Sequence, residues 1–448
     1  MIAVDSAPLV TPERLRGALA AAEPTCYGRV VRVVGLTFEI EGLDAGLGDI
    51  VRLGEGVGIP GEIVALGDRG PIGMPLGELR GLRIGDPARL DRAHRGIPIG
   101  DGLLGRVIDG LGRPLDDGPP LDELEHVDID GEAPHPLRRE LVRQPVHLGV
   151  RVLDTLTTVG RGQRIGIFAG SGVGKSTLLS MIVRNTDADV SVLALIGERG
   201  REVREFVEND LGPEGLAKTV VVVATSDAPA LVRTRAAFAA TRIAESFRDR
   251  GLHVNLMMDS LTRFSMAQRE IGLSSGEAPA TRGYPPSVFA LMPKLLERAG
   301  AAEHGSITGI YTVLVEGDDM NDPIGDTARS ILDGHITLSR ELATAGHFPT
   351  VDVLESVSRV ARSVTTTEQQ GLAIRARELL AAYRGSRDLI EIGAYRSGSN
   401  PLTDEAIALK GGIDHFCRQA VEEDSPVGSD WQGLSAALSP AWNGAGPA

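Results

Sequence analysis

RIGIFAGSGVGKST, residues 164–177, is the stretch on which the fold reading turns. A strand-length apolar run, Arg164 to Ala169, passes into Gly170, Ser171, Gly172, Val173 and Gly174. It then enters Lys175, Ser176 and Thr177 at the head of the helix candidate TLLSMIVRN. Glycines let successive backbone N–H groups turn inward around phosphate oxygens. The helix start adds the positive end of its dipole. In such a loop the lysine reaches the β- and γ-phosphates, and the hydroxyl of Ser176 is placed to hold Mg²⁺. Ala169 stands where the general pattern has glycine, a mild departure. A glycine-rich turn without function is the plain alternative, and the strand–loop–helix setting speaks against it. So does composition: the chain has only four lysines, Lys175, Lys218, Lys294 and Lys410, so a lysine is not surface background.

Around this loop the pattern is strand then helix, repeated. RIGIFA, VSVLALIGE, TVVVVATS, HVNLMMDS and ITGIYTVLVEG are strand candidates, with helical stretches such as 228–250 between several of them. Near-continuous apolar strands joined by helices predict a parallel sheet covered on both faces. Earlier, residues 28–95 carry short β-rich pieces broken by Gly and Asp, the pattern of a small β-barrel or sandwich. An acidic, proline-containing stretch from Leu115 to Asp130 reads as an exposed connection. Residues 366–423 read as helices, and a Ser-, Gly-, Pro- and Ala-rich segment from about Glu422 reads as a mobile tail.

The expected fold is thus α/β and multidomain. An N-terminal helix or arm (1–25) precedes a β-barrel (26–95). A P-loop nucleotide domain on a parallel sheet (96–365), a helical C-terminal domain (366–424) and a mobile tail (425–448) follow. A chain of 448 residues is long enough for such a division. Residues 12–22 read as a short amphipathic helix that suits a bare surface and a docking partner equally.

Composition narrows the function. The net formal charge of −15 argues against a chain whose main business is coating nucleic acid. No run approaches the roughly 20 apolar residues of a membrane helix. The N-terminus, MIAVDSAPLV, has neither a basic flank nor a long apolar core, so no signal peptide is expected. Cys26 and Cys417 lie near opposite ends, which suits two reduced thiols better than a disulfide framework or a cysteine metal site.

Other strand ends carry chemistry. Asp259 closes HVNLMMDS, where an acidic residue can hold the Mg²⁺ shell; an Asp capping the next turn is the alternative. Glu198 follows VSVLALIG, and ligands of open α/β sheets bind at the carboxyl ends of strands. It is placed to polarise a water for attack on phosphorus. Arg199 and Arg263 are candidates for phosphate contact or for orienting these carboxylates. Ordinary surface ion pairs remain the alternative for Glu198, Arg199 and Arg263.

From Gln144 to Arg362 the chain resembles the catalytic domain of the rotary-ATPase family, relatives of the ATP synthase β subunit. The residues are QPVHLGVRVLDTLTTVGRGQRIGIFAGSGVGKST, IGERGREVREFVENDLG, VVVATSDAP, MDSLTRFSMAQREIGL, GEAPATRGYPPSVFALMPKLLERAG, VEGDDMNDPIGDTARSILDGHITLSREL and HFPTVDVLESVSRV. GERGREVREF and VEGDDMNDP resemble the type III export branch, flagellar or virulence-associated, with the flagellar members as first reading. A weaker resemblance extends through the barrel and through RDLIEIGAYRSGSNPLTDEAI.

The resemblance implies a Mg²⁺-dependent ATPase that energises protein export by releasing and unfolding chaperone-bound cargo. It implies that Glu198 activates the attacking water and that Arg199 contacts the terminal phosphate. Lys175, Ser176, Asp259 and Arg263 then belong to the phosphate and Mg²⁺ site, with Ser176 and Asp259 as metal positions. Arg359 falls where the family carries an arginine finger supplied by a neighbouring subunit. Phe348 falls where an aromatic residue packs on the adenine, usually Tyr in relatives; a core-packing Phe is the alternative. Thr350 replaces a more usual Ala. The resemblance further implies a homo-hexamer that is cytoplasmic and peripheral at the cell membrane, with regulator, central-stalk and chaperone–cargo partners and no nucleic acid. Another rotary ATPase subunit and a Rho-like RNA translocase are the alternatives. The latter would want basic, aromatic surfaces, whereas aromatics are 4 % of this chain.

Overall fold

The computed structural model describes residues 27–91, 96–315 and 322–439. The chain parts into two compact units at Arg95–Gly96. The short helix expected at residues 12–22 and the thiol Cys26 lie outside the described residues.

In the first unit, β1 (Tyr27–Val34), β2 (Thr37–Glu41), β3 (Ile50–Leu53), β4 (Ile59–Gly67), β5 (Gly70–Pro75) and β6 (Pro87–Leu90) close a barrel in the order β1-β2-β5-β4-β3-β6. Alternate residues point inward, so Val30, Phe38, Ile40, Val51 and Ile63 make its core. Phe38 fills the barrel so closely that a Cβ at Gly61 or Gly73 would lie 2.6 or 2.2 Å from its ring.

The second unit is built on one sheet. Its strands are β8 (Val107–Asp109), β10 (Arg164–Ala169), β11 (Val190–Ile196), β12 (Thr219–Ala224), β13 (His253–Asp259), β14 (Gly300–Ala301), β15 (Ser306–Leu314), β16 (Gly334–Leu338) and β17 (Val351–Ser358). They run β17-β16-β10-β15-β13-β11-β12-β8, with β14 beside β15. The pairings from β16 to β8 are all parallel, while β17 is antiparallel to β16. Every residue of β11, β12 and β13 is buried, as a sheet covered on both faces requires.

The five strands expected from the apolar runs are all present. The short strands β8 and β16 and the longer edge strand β17 were not anticipated. The acidic connection is also more anchored than its composition suggests. Within it β9 (Glu125–Asp128) pairs with β7 (Gly96–Ile99). Asp116 spends its charge on Arg106 at 2.7 Å, which holds its carboxyl below the usual range although burial acts against this.

Helices 367–391 and 401–417 follow the sheet. A capping box at Thr366 and Gln369 starts the first, and Asn400 caps the second. Their buried residues Leu379, Leu409, Ile413 and Phe416 join the same core as the nucleotide sheet. Cys417 is buried among them and its thiol is pushed up to about 12, which leaves it inert.

The described part of the expected tail differs from expectation. Residues 429–437 form a helix, and Leu434 and Ala437 are buried in the shared core. Small and polar composition hid a single apolar edge at i, i+3 spacing. A polar latch holds the same segment. The Nε2 of His147 lies 2.7 Å from the Ser425 carbonyl, and its Nδ1 lies 3.1 Å from an Asp154 carboxylate oxygen. Both ring nitrogens therefore donate, and the ring is an imidazolium. His147, Asp154 and Asp430 bring ligand-type atoms within 4.8 Å of one another. With the ring protonated, the cluster is a charged bridge.

Burial opposes the His147 charge. The hydrogen bond and charge of Asp154, the Ser425 carbonyl and Asp430 outweigh it and raise the pKa to about 9. A raised folded value contributes stability in full below the unfolded value, about 6.5, and loses it as pH rises through the folded one. His147→Gln should thus lower the thermal midpoint at about pH 6, and the gap to the parent protein should close by about pH 10. A gap that stays constant across that range would remove the charge from the account.

Candidate nucleotide site

The site grows from the order of the strands. β15 lies between β10 and β13, and β13 pairs with β11 with Asp259 opposite Leu195. The carboxyl ends of these strands thus sit side by side, where open α/β sheets bind ligands. From β10 the loop 170–174 enters the helix Lys175–Asn185. Gly172 and Gly174 have φ of +76° and +91°, a backbone that side chains rarely adopt. Val173, between them, is buried.

Lys175 is the centre of charge. Its Nζ pairs with Asp259 and lies 3.6 Å from Glu198 Oε1. Asp259 is buried and also accepts the Thr312 hydroxyl at 2.7 Å from the adjacent strand. Burial raises the Glu198 pKa, and the Asp259 carboxylate adds to this while Lys175 opposes it. Ser176 is exposed on the first turn. A hydroxyl and a buried carboxylate make an all-oxygen donor set, which fits a hard cation such as Mg²⁺.

Gly197 aims Glu198. Its φ is +72°, and a Cβ there would lie 2.9 Å from Arg263 Cβ. The Arg263 stem lies over this glycine, and the Arg263 Nε is buried without a hydrogen-bond partner. Ser260 caps the Arg263 helix by accepting the Arg263 N–H at 3.2 Å.

Phe348 lies next to the loop. A Cβ at Gly174 would lie 3.6 Å from the Phe348 ring. Phe348 is 43 % exposed, which removes the core-packing alternative. It lines a cavity of about 1090 Å³ together with Arg151, Phe416 and Gln419.

The structure does not bring every sequence candidate to this point. Arg199 is exposed and pairs with Glu202 at 3.0 Å. Arg359 lies at the far end of the sheet. β17 runs antiparallel to β16, so Ser358 pairs with Gly334, and the Arg359 N–H bonds Asp333, which itself bonds Arg164 at the start of β10. The P-loop leaves the other end of β10, about 17 Å away at roughly 3.3 Å per residue. Residues that sequence reasoning missed are Gly197, Thr312 and Gln419. Gly197 carried only a glycine's punctuation as signal, and the other two carried none.

Comparison with known proteins decides the lineage. Residues 149–358 match the ATP synthase alpha/beta family, nucleotide-binding domain, and residues 365–436 match the T3SS EscN ATPase C-terminal domain. The flagellum-specific ATP synthase of Bacillus subtilis is 51 % identical over 401 residues, covering 89 % of this chain and 92 % of that protein. The chain belongs to the ATP synthase alpha/beta family, in its type III export branch. Its relatives there include the type 3 secretion system ATPase of Sinorhizobium fredii, 50 % identical over 89 % of each chain. Assembled EscN from enteropathogenic E. coli superposes with a TM-score of 0.88 at 46 % identity, over 92 % of this chain and 100 % of that one. An export-branch ATPase binds and hydrolyses a nucleotide, and Lys175, Ser176, Glu198, Asp259, Arg263 and Thr312 all lie within the matched span 149–358.

Gly197→Ala tests how the Glu198 carboxylate is aimed. The left-handed backbone costs an alanine roughly 1–2 kcal/mol, and the Cβ pushes the Arg263 stem aside. ATP turnover should fall at least several-fold with a lowered thermal midpoint. Unchanged turnover would mean that neither constraint matters.

Proposed function

We propose that this chain is the ATP-hydrolysing motor of a type III protein export system, flagellar in the first reading and virulence-associated in the second. The observation that carries the chemistry is the meeting of Lys175, Glu198 and Asp259 at adjacent strand ends. ATP enters with its phosphates on the loop 170–177 and its adenine against Phe348. Mg²⁺, held through Ser176 and Asp259, neutralises charge on the phosphates when bound. Lys175 turns from the carboxylates towards the β- and γ-phosphates. Glu198, whose raised pKa makes it a better base than a surface carboxylate, orients and deprotonates the attacking water. Arg263 supports Glu198 through Gly197, and Arg199 reaches the terminal phosphate from the same loop.

Arg359 completes a neighbour's site. Its place at the amino ends of the parallel strands keeps it from its own P-loop, so any phosphate it meets belongs to another chain. We therefore place the site between subunits of a ring, a homo-hexamer. EscN has been seen assembled and in complex with its central stalk EscO, and a stalk partner is proposed here on that likeness. Exposed Ile374, Leu389 and Ile392 on the helical layer suit apolar chaperone–cargo contacts. Among the described residues no helix is long and apolar enough to cross a membrane. Membrane attachment and the binding of a regulator are assigned to the N-terminal arm.

Glu198→Gln should keep nucleotide binding and abolish turnover, read by fluorescent-ADP titration beside phosphate release. Retained turnover removes Glu198 from its role. Arg359→Ala should cost about 10³–10⁵ in rate. Mixing Arg359→Ala with Lys175→Ala chains should restore part of the activity, because one mixed interface then carries both intact residues. Mixtures as inactive as their parents would place the arginine elsewhere.

A further inference from the structure

The replacement of a more usual alanine by Thr350 finds its reason in the phosphate loop. Thr350 is 2 % exposed and stands immediately before β17. Its hydroxyl donates to the Val173 carbonyl at 2.6 Å, across 177 residues of sequence. Val173 lies between the two left-handed glycines of the loop, Gly172 and Gly174. Gly174 lets the Val173–Gly174 peptide rotate on its far side, so that peptide is not fixed by side-chain sterics alone. In a trans peptide the C=O and the following N–H point in opposite directions. Holding the Val173 carbonyl against Thr350 therefore fixes the opposite heading of the Gly174 N–H, on the side away from Thr350. Donors fixed before the ligand arrives do not have to be ordered by it.

The clasp is itself held from behind. The Thr350 carbonyl accepts the Ser339 N–H at 2.8 Å, and the Phe348 carbonyl accepts the Gln419 N–H at 3.0 Å. The Gln419 side chain in turn accepts the Arg151 N–H at 2.9 Å and donates to the carbonyls of Gly149 at 2.8 Å and Glu423 at 3.0 Å. Segment 348–350 is thus pinned on one side to the loop that closes the helical layer and on the other to the phosphate loop. An alanine at 350 would keep the first attachment and lose the second.

We propose that Thr350 is a positioning residue for nucleotide binding, its hydroxyl locking the Val173–Gly174 peptide so that the Gly174 N–H faces the phosphates. This rests on the reading of the loop as the ATP site. Thr350→Val keeps the side-chain shape without the hydroxyl, Thr350→Ser keeps the hydroxyl, and Thr350→Ala guards against a valine that packs badly. On the full chain, fluorescent-ADP affinity, KM and kcat for ATP and the nucleotide-free thermal midpoint are measured together. Val and Ala should weaken ADP binding and raise KM about 3- to 10-fold, the range of one hydrogen bond, with kcat within about twofold. Ser should return both to within about twofold of the parent. A merely structural threonine would move the midpoint without this split between KM and kcat and without rescue by serine. Val and Ala variants that bind ADP as tightly as the parent, or a Ser variant as weak as Val, overturn the proposal. A parent chain that binds no ADP would instead overturn the ATP-site reading itself.

Discussion

One ammonium held between a buried and a half-buried carboxylate sets the terms for the rest of the second unit. Lys175 faces Asp259 and Glu198 in a place largely closed to water. Removing charges from water costs several kcal/mol each unless partners replace the lost hydration. Here the replacement is partial: Thr312 serves Asp259, while Glu198 stays protonated to higher pH than a free carboxyl. One positive and two potential negative charges leave a site that does not balance by itself. A phosphate alone would meet two carboxylates, and a divalent cation alone would meet the lysine. A nucleotide with its metal would answer both, its phosphates meeting Lys175 and Asp259 lying on the cation's side. The electrostatics therefore favour the paired ligand over either part.

That arrangement depends on register. Asp259 stands opposite Leu195 and one strand from Thr312, and Ala169 stands opposite Leu314. Side chains alternate faces along a strand, so a slip of one residue would turn Asp259 away from both Lys175 and Thr312. The fully buried β11, β12 and β13 make such a slip expensive, because every side chain would need a new cavity. The dense core is thus what keeps Lys175, Asp259 and Thr312, drawn from three separate parts of the chain, within hydrogen-bonding reach.

What was legible in the sequence was what is local. The loop 170–177 could be read because glycine, lysine and helix start lie in one short stretch, and Asp259 and Glu198 because they end apolar runs. The family resemblance supplied Arg359 and Phe348. The parts that stayed dark depend on distant partners. Nothing near Thr350 names Val173, and nothing near His147 names Ser425. The helix 429–437 was hidden because Leu434 and Ala437 are a thin apolar edge in a polar segment. The strands β8 and β16 are too short for periodicity to separate them from turns.

β17 joins two sites by its length. Just before its start, Phe348 and Thr350 meet the glycine loop at Gly174 and Val173. At its end, Arg359 stands at the opposite edge of the sheet. A paired strand is stiff along its axis, so movement at one end is carried to the other rather than absorbed between them. The register shift between His335 and Thr337 leaves two stretches of ladder, and the hydroxyl of Ser356 fills the gap by accepting the Thr337 N–H at 3.0 Å. On the reading that Arg359 serves a neighbouring chain, closing Phe348 on a nucleotide in one subunit shifts the finger offered to the next. On that reading, sites around a ring are coupled through this one edge strand, from the nucleotide of one subunit to the finger offered to the next.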